Sequence, residues 1–433
     1  MSYLEQFDAT PDADKLRLVR QWMDSEPLPF FKELREQRPV LVTPGAILLA
    51  RFDDVTEVLN QPKLFTVALY LPKMGNGIYL MAHDDDALHT REKSIMQGLL
   101  NRDDLPRVRA LVARLANEIL DKAPGKKLEV AYDYSRSIPA GLVQEYFGFS
   151  GVERKDLIEW SYWNQYDTFH NQPFDIIADE LRDHISTRHT ETGEKLNKYI
   201  LELIAHRLIT VKGTGLWHWL RTTFNKLIGN KEAANDDIVA RMLRSSFPAE
   251  VDFDIQRLGV NAGGLLIGAI ETTAQCVTQV IQYLVDSPEW FAKAQAAARL
   301  PDPREFDGIV WEALRFVPLA PYLFRQAASE YTLGQGTAYA TRIPAGSYVL
   351  PLTQSAMFDP RAFENPDQFI PSRNWYHYFH FGFGAHECLG KYIGMVMIPE
   401  MVRQILLRPG LKASAPIDYK GGPFPEVYEL SWS

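Results

Sequence analysis

The pattern of apolar positions is most unusual over residues 258–285, which carry a single charged side chain, Glu271. Asp254 ahead of this run and Asp286-Ser287-Pro288 behind it supply a cap and a stop. The spacing predicts one helix of about eight turns. Such a helix is apolar on every face and has to run through the protein interior. Residues 39–50, PVLVTPGAILLA, are β-prone on both sides of a Pro-Gly turn and predict a hairpin. From about residue 53 to 318 apolar positions recur mainly at helical spacing. A second β-prone stretch follows over 322–352, punctuated by glycines and Pro344. Its Gly334-x-Gly336 pair is followed by neither a helix nor an acidic residue, so it reads as a turn. A last helical pattern, LGKYIGMVMIPEMVRQILL, covers 389–407, with Pro399 expected to kink it or remove one bond. No repeat or low-complexity linker divides the chain. The pattern predicts a mainly α fold with a small β lobe from about 30–60 and 320–352, in one large domain over 1–433.

Composition narrows the class. Among 433 residues, 46% are hydrophobic and 12% aromatic, enough for a sizeable core. A formal charge of −9 gives no footing for nucleic acid or anionic lipid. Two widely separated cysteines, Cys276 and Cys388, argue for a reducing compartment and against a disulfide framework. The N-terminal segment is polar and acidic and lacks the pattern of a signal peptide. The expectation is a cytoplasmic protein without a membrane anchor.

Cys388 carries the chemistry. It sits in FGFGAHECLG, residues 381–390, where glycines at 382, 384 and 390 allow the backbone to wrap closely around the sulfur. The helical pattern begins directly behind it, and a helix N-terminus favours a thiolate. Cys276, inside the apolar run, reads as a small core residue. The segment resembles the haem-ligand loop of the cytochrome P-450 family, Phe-x-x-Gly-x-(His/Arg)-x-Cys-x-Gly. Phe381, Gly384, His386, Cys388 and Gly390 match every fixed position. The resemblance covers residue 30 onward, is closest to the soluble prokaryotic type, and implies haem b with an axial thiolate from Cys388.

Further positions follow from that resemblance. IGAIETTAQC, residues 267–276, is similar to the family's oxygen-activation segment, with Glu271 as proton relay and Thr272 as the alcohol beside the bound oxygen. Small residues here leave room above the iron, although the usual order of the first two is reversed to Gly268 then Ala269. A threonine bonded to its i−4 carbonyl can also open the helix. In WEALRFVP, Glu312 and Arg315 share a helix face, and with Arg373 they match the family's buried ionic lock. His89, Arg325 and His386 stand where the family binds the haem propionates. The family's arginine four residues after that histidine is replaced by Lys93, so either Lys93 acts as a point charge or Arg91 takes over. Beyond the cysteine, Met395 and Met397 replace a usual Arg and Glu.

By family topology the substrate pocket is lined by Phe65, Leu69, Tyr70, Ile78, Tyr79, Gly264, Ile267, Gly268, Leu319, Tyr322, Leu323 and Phe424. That wall predicts a hydrophobic small molecule. Aromatics in 160–174 lie near a lid or in plain core. Residues 213–231 read as an amphipathic insertion that packs on the body or touches a membrane or partner. The implied activity is haem–thiolate monooxygenation, as hydroxylation or oxidative demethylation. Electrons would come from a separate ferredoxin- or flavodoxin-type donor with its reductase, docking on basic residues such as Arg91, Lys93 and Lys391. The alternatives are a peroxide-driven oxygenase or isomerase and a non-catalytic haem sensor.

Overall fold

A computed structural model describes residues 1–75, 77–84, 86–212, 236–245, 247 and 251–433. The insertion expected over 213–231 lies outside the described residues. Three helices open the chain: α1 (Tyr3–Ala9), α2 (Asp12–Ser25) and α3 (Pro27–Gln37). Ser2 and Glu5 form a reciprocal capping box on α1. The predicted hairpin follows as β1 (Val40–Val42) and β2 (Ile47–Leu49), antiparallel with Val40 opposite Leu49. Next come α4 (Phe52–Leu59) and the short strand β3 (Phe65–Thr66).

The helical body begins with α5 (Ala87–Leu99), α6 (Leu105–Lys122) and α7 (Ser137–Leu142). It continues through α8 (Arg154–His170), α9 (Asp179–Lys212) and α10 (Ile238–Arg244). The apolar run then appears, capped by Asp254, whose carboxylate accepts the Arg257 N–H. It is not one helix as its composition predicts. α11 (Ile255–Ala269) ends, Ile270 leaves the helical pattern, and α12 (Glu271–Val285) starts again. By length and composition the stretch Ile255–Val285 is apolar enough to cross a membrane, but 72% of its most apolar window is buried inside the protein. It is a core element.

After α13 (Pro288–Ala297) and α14 (Arg304–Phe316) the chain returns to strands. β5 (Arg325–Ala327) and β8 (Tyr348–Pro351) complete a five-stranded sheet of order β1-β2-β8-β5-β3, in which β2 and β8 are parallel. β6 (Tyr331–Leu333) and β7 (Thr341–Ile343) form the hairpin whose turn holds Gly334 at φ +65° and Gly336 at φ +86°. Those left-handed values explain both glycines as turn residues. A three-stranded sheet, β4 (Lys127–Glu129), β10 (Glu429–Ser431) and β9 (Lys412–Ala413), lies outside the predicted lobe. Its strands are two or three residues long and show no alternation to read. The predicted lobe also holds α3 and α4, so its 30–60 segment is mixed.

α15 (Thr353–Met357) precedes a long connection that ends in α16 (Lys391–Leu406), which packs along α6. Pro399 is accommodated inside α16 without ending it. Met397 is buried in the main core and Met395 packs against it, which accounts for apolar side chains at both places.

The connection before α16 is held by one carboxylate. Glu312 on α14 has no solvent exposure. Its Oε1 accepts from Arg315 Nη2 at 2.7 Å, the Ile370 N–H at 2.9 Å and Arg373 Nε at 3.1 Å. Its Oε2 accepts from Arg315 Nε at 3.1 Å and the Tyr378 hydroxyl at 2.5 Å. Arg315 also donates to the carbonyls of Met357, Pro366 and Gln368. Burial alone would raise the Glu312 pKa, but Arg315, Ile370 and Tyr378 outweigh it and hold the carboxyl below its usual value. Glu312→Ala leaves the Arg315 charge buried without its counterion and is expected to destabilise the fold by about 3–5 kcal/mol, measured as a lower urea midpoint. A depressed folded pKa means this stability is present above the unfolded pKa and is lost as pH falls through the folded value. The wild-type midpoint should therefore fall on acidification by more than that of the variant, and parallel pH profiles would contradict the assignment.

Candidate active site

The cysteine loop is shaped by two left-handed residues, Gly382 at φ +74° and Gly384 at φ +70°. A β-carbon on Gly384 would also stand 2.7 Å from the Leu59 carbonyl oxygen, so the loop passes against the end of α4 with no space for a side chain. The Cys388 N–H donates to the Phe381 carbonyl at 2.7 Å, closing the loop on itself. The Phe381 ring lies over Gly394, where a β-carbon would meet it at 2.7 Å, and this pins the loop to α16. Cys388 is exposed, but its surface opens into an interior cavity. Burial pushes the thiol up, while the Gly390 N–H and the Lys93 ammonium pull it down.

Lys93 reaches the loop from α5. Its Nζ donates to the carbonyls of Ala385 at 2.5 Å and Glu387 at 2.7 Å. Lys93 is buried and Lys391 is paired with Glu387 at 2.6 Å, so neither stands as a free surface cation for docking. His89, also on α5, is buried and its ring lies 4.7 Å from that of His386. Burial, Arg325, His89 and Lys93 together lower the His386 pKa to about 3, so this imidazole is neutral at physiological pH. Both of its ring nitrogens are buried without a partner among the described residues. The Arg325 guanidinium is buried too, and it donates to the Phe324 carbonyl at 2.8 Å.

Across the cavity stands the helix break. Thr272 Oγ1 donates to the Gly268 carbonyl at 2.7 Å, the i−4 bond that the sequence suggests. The Ile267 carbonyl accepts from Gln165 Nε2 at 2.5 Å and Ser161 Oγ at 3.4 Å, both on α8. Side chains thus satisfy carbonyls where the helix is interrupted. Glu271 turns away from the cavity. It is fully buried, and its Oε1 accepts from Arg136 Nε at 2.7 Å. Arg136 in turn faces Glu426 at 3.4 Å, which is partly exposed. Glu271 Oε2 has no partner among the described residues. Burial raises the Glu271 pKa against the opposing pull of Arg136.

The cavity encloses about 780 Å³. Cys388, Phe381, His386, Gly390, Arg325, Gly268 and Thr272 all line it, as do Tyr70, Tyr79, Gly264, Ile267, Leu319 and Leu323. Five expected pocket residues lie elsewhere. Phe65 is buried in β3 against Tyr331, and Leu69 packs with the N-terminal helices. Ile78 contributes its carbonyl to Arg257, and Tyr322 bonds with Arg20. Phe424 packs with Tyr162 and Tyr166 outside the cavity. Cys276, expected in plain core, is buried but also lines the cavity.

Arg136, Tyr378 and Gln165 escape sequence reasoning. A buried carboxylate demands a partner, but no spacing identifies residues 135 positions away. The cavity wall also includes Lys73, Asn164, Asp167 and His189, more polar than the apolar list predicts.

The donor set fits haem b. Cys388 offers a soft axial ligand at one wall. Arg325 and the one N–H of the neutral, unpartnered His386 ring offer buried donors for two carboxylates.

Comparisons with known proteins agree. The family model "Cytochrome P450" matches residues 153–413. The chain is 25% identical over 380 residues to cyclomarin C epoxidase of Salinispora arenicola, covering 83% of each chain. It is 24% identical over 412 residues to mycinamicin IV hydroxylase/epoxidase of Micromonospora griseorubida, covering 89% of each. A solved cytochrome P450 of Chondromyces apiculatus superimposes with a TM-score of 0.74 at 21% identity, over 95% of this chain and 96% of that one. With the fold, the cysteine loop and the cavity in agreement, the chain belongs to the cytochrome P450 family, a monooxygenase that binds haem b through a cysteine thiolate.

Proposed function

We propose that this enzyme inserts one atom of O2 into a C–H bond of a largely hydrophobic small molecule, by hydroxylation or oxidative demethylation. Electrons come from a ferredoxin- or flavodoxin-type donor and its reductase. The observation that carries this reading is the convergence of Cys388, Arg325, His386 and Thr272 on one cavity.

Cys388 would hold the haem iron through its thiolate, and the bound haem would supply the oxygen-activating chemistry, which an electron-rich sulfur ligand favours. Arg325, His386 and His89 would hold the haem carboxylates. Lys93 secures the loop carbonyls on either side of His386 and keeps a positive charge near the sulfur. Gly268 and the break at Ile270 leave space beside Thr272, whose hydroxyl is held in place by the Gly268 carbonyl. The proton of that hydroxyl points at the Gly268 carbonyl, so its oxygen can accept from a proton-bearing ligand in the cavity, with the proton itself supplied from behind. Glu271 is the source. Its carboxyl is next in sequence, is raised in pKa by burial, and is tied through Arg136 to the partly exposed Glu426. Tyr79 fixes the ceiling by lying against Gly264.

Two outcomes test this reading. Cys388→Ser should abolish the red-shifted carbon-monoxide band of the reduced protein, and persistence of that band would remove the thiolate assignment. Thr272→Ala should retain the band but lower coupled product formation by about 100-fold, with NAD(P)H consumption diverted to hydrogen peroxide. Gly264→Ala tests the pocket itself. Its β-carbon would lie 2.2 Å from the Tyr79 ring, so the ring has to move. Bulky ligands should bind at least tenfold more weakly by spectral titration, while imidazole binding to the haem is unchanged.

A further inference from the structure

One wall of the cavity is built from polar side chains of α8, α9 and the segment Ala68–Lys73. At its centre the buried Asp167 carboxylate accepts from Lys73 Nζ at 2.9 Å, Asn171 Nδ2 at 2.6 Å and Ser186 Oγ at 3.0 Å. His189 Nδ1 lies 2.8 Å from its other oxygen. Three donors and the nearby His189 ring leave this carboxylate little capacity for a ligand. The groups around it keep capacity. The bond to Asp167 uses one of the three N–H groups of Lys73, and Gln165 and Asn164 donate their amide nitrogens to the carbonyls of Ile267 and Trp160. Each of those amides retains an oxygen acceptor.

On this wall Lys73 and Asp167 neutralise one another. Glu194 adds a negative group on the exposed side of α9. A carboxylate ligand would therefore find its cation already engaged and two acids nearby. A wholly hydrocarbon ligand would strip water from these groups and return no hydrogen bond. Neutral hydroxyls, which both donate and accept, meet the requirement. α9 packs on α11 and α8 on both α11 and α12, whereas α16, which follows Cys388, packs on α12. The α9 part of the polar wall thus lies on the α11 side of the break at Ile270 and the helix behind the cysteine loop on the α12 side.

Resting on the monooxygenase reading above, we propose that the substrate is amphipathic. Its apolar part lies toward Cys388, and a neutral hydroxyl-rich group such as a sugar is held by Lys73, Asn164, Gln165 and His189.

The test is a spectral titration of the haem-loaded wild-type protein with three ligands of equal chain length: decyl glucoside, decanol and decanoate. Decyl glucoside should bind about tenfold more tightly than either of the others. Methylation of all its hydroxyls should erase that preference, and this comparison needs no variant. Lys73→Met should weaken decyl glucoside about tenfold while the carbon-monoxide band and imidazole affinity stay unchanged. Tightest binding of decanoate, equal binding of all three, undiminished binding of the methylated sugar, or no response to any of them overturns the proposal. Loss of the carbon-monoxide band in the wild type would instead overturn the haem–thiolate reading.

Discussion

Glu312 carries a full negative charge at a point where no water reaches it. An isolated carboxylate could not stay ionised there. Its two oxygens accept from two arginines, a tyrosine and a backbone amide, and those donors come from α14 and from residues 370, 373 and 378. This charge cluster converts an otherwise irregular connection into a fixed platform. The connection then leads, within three residues of Tyr378, into the cysteine loop. Left-handed glycines and the Phe381–Gly394 contact only refine a path whose start is already set.

The opposite wall is organised by a different constraint. An interrupted helix in a dry interior leaves carbonyls that must find donors. Thr272 supplies one from the helix itself, and α8 supplies two more. The interruption is therefore a stable part of the fold. The acid beside it is positioned by the same logic, since Arg136 answers the Glu271 charge and points it away from the cavity. Two neighbouring side chains, Glu271 and Thr272, consequently face different compartments.

The mainly α architecture, the hairpin at 39–50, the cap at Asp254 and the Glu312–Arg315 pair were legible because each is written in local spacing, whereas Arg373 entered the lock only through the family resemblance. The loop around Cys388 was legible for the same reason, since its glycines, histidine and cysteine fall within ten residues. The break at Ile270 was only half visible. Thr272 hinted at it, but the donors that stabilise it come from more than 100 residues away. The pocket list was the least legible part. Phe65, Leu69, Ile78, Tyr322 and Phe424 have suitable side chains, but apolar side chains fill cores and cavities alike, and only tertiary packing separates the two. Polar residues such as Lys73 and Asp167 look like solvated surface in one dimension. They join the cavity only because α8 and α9 fold against the segment that carries Lys73.

α8 has two duties that meet in Gln165. The same amide stands on the substrate wall and grips the Ile267 carbonyl at the interruption. A guest that shifts α8 must therefore stretch that grip and disturb the interruption beside Thr272. The cavity wall and the interruption thus share one helix, which holds the Ile267 carbonyl through both Gln165 and Ser161.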